Sequence, residues 1–410
     1  MVQVLSDVEI GDVLESVQHI LTMNTSSGLT VQLLVFSLVA AAFTTVYITQ
    51  PVLPVIQHEF DVDARTASLS VSMVILGIAL ANLPFGVLAD HYPIKPILLI
   101  GGTAVTATSL ISAMTHNIAL LIAARFVQGL FIPALTTCIA AFLAKNLPAS
   151  QLNVVMGSYV SATVAGGMGG RLLGGWIHPP LHWRYAFLSA SVLLISATIA
   201  AFRWLPTQKA ERGPEFQQPG FAQLLAQASL WRVLSIAFSA YFVFSSIFNY
   251  LPFYLSKPPF SAPTEVITLM YLAYLVGIVM GPVAGTLSNR MGSGTTIVIG
   301  SLLLALALSA TLIHSLTAIA ASLILMCASF FSIHAAAIGL LNRRLTSSRG
   351  RANSLYVLSY YLGGTAGITA CGYAYDGYGW NGAIVLGTAA LSLPLLIGFQ
   401  EIMYERRVGS

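Results

Sequence analysis

Three side chains able to carry a charge or a proton lie inside long apolar runs of this 410-residue chain: Arg125, Arg171 and His334. An ionised group is costly in apolar surroundings, so one retained there points to binding or transfer chemistry, or to a partner that holds it. Arg125 stands one helical turn before Gln128, a pairing suited either to gripping an anionic group bidentately or to bonding backbone and fixing a helix bundle. Both readings stand. For Arg171, near the end of its run, three readings stand: a clasp with Glu265 or Asp376, contact with a bound solute, or a solvated rim position. His334 is the one deep group whose ordinary titration lies near neutral pH, which makes it a proton-carrier candidate beside the plainer reading of a histidine satisfied by a helix neighbour.

No acid joins these three. The fourteen carboxylates are Asp7, Glu9, Asp12, Glu15, Glu59, Asp61, Asp63, Asp90, Glu211, Glu215, Glu265, Asp376, Glu401 and Glu405, all in the leader, in loops or at run ends. A cation and a proton competing for one buried acid therefore has no obvious residue to run on. Cys138, Cys327 and Cys371 fall in separate apolar runs and read as free core thiols. No phosphate loop ending in Gly-Lys-Ser/Thr, no metal-spaced His/Cys/carboxylate cluster and no Ser-His-acid set is present, so the expectation is no enzyme, no cofactor and no metal.

The elements that must position these groups follow from composition. With 56% hydrophobic and 8% charged residues and a mean hydropathy of +0.82, a soluble domain is excluded. Runs of spanning length occur at 29–55, 66–89, 96–115, 118–144, 151–177, 184–204, 230–255, 265–288, 295–314, 317–341, 352–375 and 379–401. The reading is an all-α membrane protein of twelve transmembrane helices in two six-helix bundles, 29–204 and 230–402. A cytoplasmic linker (205–229) joins them and a short tail (403–410) follows. Residues 1–28 read as a cytoplasmic extension with an amphipathic helical face, open to three accounts: a partly ordered tail, a helix docked on the body, or a true start at Met23. Cytoplasmic termini place thirteen Lys and Arg inside and three (Arg65, Arg184, Lys257) outside, the distribution of an inner-membrane protein. The expected partners are the lipid bilayer, a small-molecule substrate and protons, with no nucleic acid, and the expected state is a monomer.

Glycines give the next layer. The run 157–175 carries Gly157, Gly166, Gly170, Gly174 and Gly175, a pattern that lets a second helix approach closely in lipid. Gly166, Gly170, Gly175 and Trp183 recur as Gly363, Gly367, Gly372 and Trp380, an offset of 197, and the loop GVLADHYPIK at 86–95 recurs as GTLSNRMGSG at 285–294, an offset of 199. Two motifs at nearly one offset mark a duplicated six-helix unit.

On these residues the chain resembles the major facilitator superfamily, and within it the twelve-helix drug/proton antiporter branch, over residues 29–403. Gly86-x-Leu88-Ala89-Asp90 with Lys95 resembles the family's loop 2–3 signature, and Leu121-x-x-x-Arg125-x-x-Gln128-Gly129 its span-four signature. Gly157, Gly166, Gly170 and Gly174-Gly175 resemble the antiporter signature of span five. His91, Pro93 and Ile94 replace the usual Arg, Gly and Arg, leaving Asp90 and Lys95 for an ion-paired latch, and Arg171 stands where the family carries proline. The resemblance implies alternating access and proton-coupled export of small organic solutes, with a cavity lined from the first and fourth spans of each half. Candidates there are Thr44, Tyr47 and Gln50, Tyr241, Phe244, Asn249 and Tyr250, and Tyr360 with Tyr361. The alternatives are an organic-anion carrier, of a carboxylate, siderophore-like or sugar-derived metabolite, and a non-transporting sensor or scaffold that uses the acidic leader.

Overall fold

In hydrocarbon a backbone has no water to bond, so a chain this apolar must close its hydrogen bonds within helices or within a sealed barrel. The computed structural model describes residues 29–147, 149–206, 221–344 and 349–409, and among them takes the helical solution, with no strand. The leader 1–28 and linker residues 207–220 lie outside the described residues.

The first bundle comprises α1 (Leu29–Glu59), α2 (Ala64–His91), α3 (Ile94–Met114), α4 (Ile118–Asn146), α5 (Ala149–Ile177) and α6 (Trp183–Trp204). A short helix, Phe221–Leu225, leads into α7 (Ala228–Leu255), α8 (264–291), α9 (Ser293–Ala310) and α10 (Leu316–Arg344). The helical stretch Arg349–Ala390 is broken at Gly379, whose φ of 59° favours glycine, into α11 (349–378) and α12 (380–409). Among the described residues ten segments are long and apolar enough by themselves to cross a membrane, the last of them holding both α11 and α12, and the glycine-rich α5 completes the twelve. Short reversals are fixed by caps: Asp63 accepts from the Thr66 amide at 2.7 Å to start α2, and the Asn117 side chain accepts from the Ala119 and Leu120 amides to start α4.

Two irregular turns interrupt these long helices. α1 loosens after residue 46 and passes through a 3-10 turn, Gln50–Val52, before ending in Leu53–Glu59. α8 is broken by a second 3-10 turn, Tyr271–Leu275. Such turns inside long helices re-aim side chains and recur at working parts of proteins.

The glycine stripe packs α5 onto α1. A Cβ on Gly166, Gly170 or Gly174 would land on the backbone carbonyl of Ala40, Thr44 or Ile48 respectively. In the second bundle Gly363 and Gly367 of α11 meet the carbonyls of Phe238 and Phe242 on α7 in the same way. Between the bundles α2 runs against α11 and α5 against α8. At the end that carries the α1–α2 loop this seam is tight: Arg65 Nε lies 3.9 Å from Asp376, and Thr268 of α8 fills the space at Gly175. Toward the other end, a Cβ on Gly157 of α5 or on Gly281 or Gly285 of α8 would have no neighbour within 4 Å.

Candidate functional site

Both irregular turns converge on Arg171. Its Nε donates to Gln50 Oε1 at 2.7 Å, Nη1 to the Gly167 carbonyl at 2.9 Å and Nη2 to the Tyr274 hydroxyl at 3.1 Å. The guanidinium carbon lies 4.0 Å from the Tyr47 ring centre, 4.2 Å from Tyr274 and 5.3 Å from Tyr271, so π faces stabilise the charge. Only 3% of the residue is exposed. The expected clasp is corrected here. Arg171 turns into the seam, where rings and neutral acceptors surround it, Asp376 is taken by Arg65, and Glu265 is exposed in the first turn of α8.

An aromatic wall continues from this group across the seam. The Tyr47 and Tyr241 hydroxyls, one from each bundle, are hydrogen-bonded at 2.7 Å. Tyr241 stacks on Tyr360 with centroids 3.8 Å apart, Tyr361 meets it edge-on at 6.1 Å, and Phe244 stacks on Phe330 at 4.0 Å. His334 Nδ1 is 2.9 Å from the Tyr356 hydroxyl, and its ring lies 5.2 Å from Tyr360. Thus Tyr47, Gln50, Arg171, His334, Tyr360 and Tyr361 are brought into one neighbourhood. Sequence reasoning missed Tyr271, Tyr274 and Phe330; the signal was available in YLAYL, two tyrosines three apart in the middle of a span, far from the interfaces where Tyr is ordinary.

Other candidates lie elsewhere. Arg125 is fully buried within the first bundle: Nε donates to the Ser70 carbonyl at 2.9 Å, Nη1 to the Thr45 carbonyl at 2.6 Å and to Gln128 Oε1, and Nη2 to the Val46 carbonyl. Four of the five guanidinium N–H groups are thereby used, three of them on the carbonyls that α1 and α2 expose, which is the bonding that the structural reading expects. Among the described residues the buried Asn249 amide has no hydrogen-bond partner, and Tyr250 packs against Phe253 and Tyr375 with its hydroxyl toward Gly372, away from the Arg171 neighbourhood.

The sequence model described as Major Facilitator Superfamily matches residues 35–368 and 262–400. The chain belongs to this superfamily. Among curated relatives it is 30% identical to inner membrane transport protein YnfM of Escherichia coli over 90% of this chain and 89% of that one. It is 26% identical to the uncharacterized MFS-type transporter YybF of Bacillus subtilis over 88% and 91%. Two solved structures share the fold. One is an inward-facing, unoccupied bacterial homolog of the human lysosomal transporter Spinster (TM-score 0.69, 15% identity, 92% and 98% coverage) and the other human organic anion transporter MFSD10 (0.67, 18%, 91% and 99%). This member of the superfamily is therefore a multi-pass membrane transporter and not an enzyme.

Within the superfamily frame, the loop signature is corrected in one respect. Asp90 pairs with Lys145 at 2.6 Å, on α4, and not with Lys95, which starts α3 on the far side of the loop. In the span-five signature, Gly166, Gly170 and Gly174 make the close approach to α1 and Gly175 the one to α8. Gly157 stands free, and Gly86 has only the Thr137 methyl at 4.0 Å.

Proposed function

We propose that this transporter carries small amphipathic organic solutes by alternating access, with the aromatic neighbourhood between the bundles as its solute site. One observation carries the reading: the Arg171, Tyr47, Tyr241 and Tyr274 contacts draw on both bundles, next to the tightly packed Gly175–Thr268 end of the seam. A solute held there touches both halves, so its binding energy can bias their relative position. The thirteen-to-three distribution of basic residues orients both termini to the cytoplasm of an inner membrane. The tight α1–α2 end then faces outward, and the end with open space at Gly157, Gly281 and Gly285 inward. Asp90, Lys145, Gly86 and the α5 glycines shape the helices that move.

Proton-coupled export is the first mode, supported by the span-five glycine signature and by His334, whose Nδ1 lies 2.9 Å from the Tyr356 hydroxyl and whose ring lies 5.2 Å from that of Tyr360. Vesicles holding a preset pH gradient test it without knowledge of the substrate. Addition of a transported solute should collapse the gradient. If a panel of cationic, anionic and neutral amphiphiles leaves it intact, proton antiport fails. Organic-anion carriage is the second mode, favoured by the lack, among the described residues, of any carboxylate within 4 Å of Arg171. The sensor reading rests on the leader alone, which lies outside the described residues, whereas relatives aligned over 88–90% of this chain are named as transporters.

A further inference from the structure

Arg125 and Arg171 are both buried cations, yet their surroundings differ in kind. Arg125 spends four donors on one bundle and sits in a closed socket. Arg171 makes three bonds, all to neutral acceptors, leaving one N–H on each terminal nitrogen unused among the described residues. No carboxylate lies within 4 Å of it among those residues. A guanidinium clamped between two tyrosine faces offers only its edge, and an edge with spare donors on both terminal nitrogens is the shape that grips a carboxylate.

From this we infer that Arg171 is the charge-recognition group of the solute site, and that the natural substrate is a small organic anion with a planar, apolar body. The anionic group supplies the counter-charge that the protein omits. The body lies against the stacked Tyr241–Tyr360 and Phe244–Phe330 pairs, whose flat faces suit a ring and whose few polar atoms ask for no dense hydroxyl pattern. Tyr274 belongs to the second bundle and Gln50 to the first, so an anion that recruits the Arg171 edge acts on contacts that tie the two halves. A cationic amphiphile finds the same rings but meets a like charge with no acid to offset it. The inference rests on the proposed transport function and narrows it to one charge class.

The test uses the full chain in detergent, with thermal stabilisation as readout. Benzoate and 2-naphthoate are compared with the corresponding primary alcohols and amines, which match them in shape and differ in charge. The expected result is stabilisation by the carboxylates at concentrations at least tenfold below those needed for the alcohols, no stabilisation by the amines, and loss of the carboxylate preference in Arg171→Gln. Arg171→Lys, which keeps the charge and loses the fork, should retain part of it. Equal stabilisation by carboxylate and alcohol in the wild-type chain overturns the inference even if the variants do not fold. So does an unchanged carboxylate preference in a folded Arg171→Gln. The same proteins in proteoliposomes separate the two claims. Charge-selective binding without flux of any bound carboxylate would remove the transport reading and leave the site, whereas carboxylate flux untouched by Arg171→Gln would remove the site and leave transport.

Discussion

The two intramembrane arginines should separate cleanly when replaced. Removing the Arg125 guanidinium leaves the carbonyls of Thr45, Val46 and Ser70 and the Gln128 amide without their donor. Each buried polar group left unpaired costs about 1–3 kcal/mol, offset in part by relief of a buried charge, so Arg125→Leu should lose on the order of 3 kcal/mol. A clear fall in melting temperature of the purified protein checks this. Arg171→Gln removes an uncompensated charge and keeps an amide beside Gln50, so its melting temperature should hold within a few degrees. A fall as large as that of Arg125→Leu would make Arg171 a second structural pin. A third residue gives a pH signature. His178, between α5 and α6, is held below the ordinary histidine range by burial first and by neighbouring His182 second, against the raising pull of Glu265 and Glu59, and its buried Nδ1 has no partner among the described residues. The folded state therefore binds this proton less readily than the unfolded chain. Its contribution is complete above the usual value of about 6.5 and declines as pH falls through that value toward the lower folded one. Melting curves taken from roughly pH 7 to 5 should fall less steeply for His178→Asn than for the wild type, and equal slopes would assign the acid sensitivity to other groups.

At the scale of elements, the glycine spacing predicts contact that is backbone against backbone. Gly166, Gly170 and Gly174 advance by one turn along α5 and meet carbonyls that advance by one turn along α1, and the α11–α7 pair repeats the arrangement. Even a methyl group at Gly170 must displace the Thr44 carbonyl, so Gly170→Ala should lower both melting temperature and transport, by about 1–3 kcal/mol in stability. Gly157→Ala, facing open space in the same signature, should be neutral or slightly stabilising through helix propensity. Equal effects at the two positions would refute the packing account. This repeat was legible in the sequence because close approach in lipid leaves a mark of small residues at fixed spacing, and the twelve runs were legible because lipid demands length and apolarity. What was not legible is what long side chains choose. Asp90 could reach Lys95 along the chain or Lys145 across helices, and only the α2–α4 packing decides for Lys145. Arg171 could snorkel toward Glu265 or fold inward, and the inward choice depends on the Tyr271 and Tyr274 rings of another helix, α8, which only the α5–α8 packing brings to it.

For the whole molecule the question is what keeps the seam at the α1–α2 end shut, which is the outward end in the proposed orientation, since the proposed alternating access would require that it be held and yet be breakable. Two kinds of contact are available. The Arg65–Asp376 pair spans the bundles at 3.9 Å with both side chains more than a third exposed, which limits it to about 0–1 kcal/mol. The Gly175–Thr268 contact is buried packing in which a Cβ on the glycine would strike the threonine hydroxyl. If packing carries closure, Arg65→Ala should raise the open population by no more than about fivefold, the factor that 1 kcal/mol allows. Gly175→Leu should wedge the seam and raise it far more. Thr268→Cys, fully buried in the closed seam, reports the difference through its labelling rate with a membrane-impermeant maleimide added from outside, and the three native thiols are all buried and contribute little background. The expected order is wild type, then Arg65→Ala a few times faster, then Gly175→Leu fastest. If Arg65→Ala alone matches Gly175→Leu, the gate is electrostatic, and salt should then open it in the wild-type protein as well. With packing in control, salt leaves labelling unchanged, and a solute bound at the proposed site would be the agent able to redistribute the two states, because the Tyr47–Tyr241 and Arg171–Tyr274 contacts there draw on both bundles.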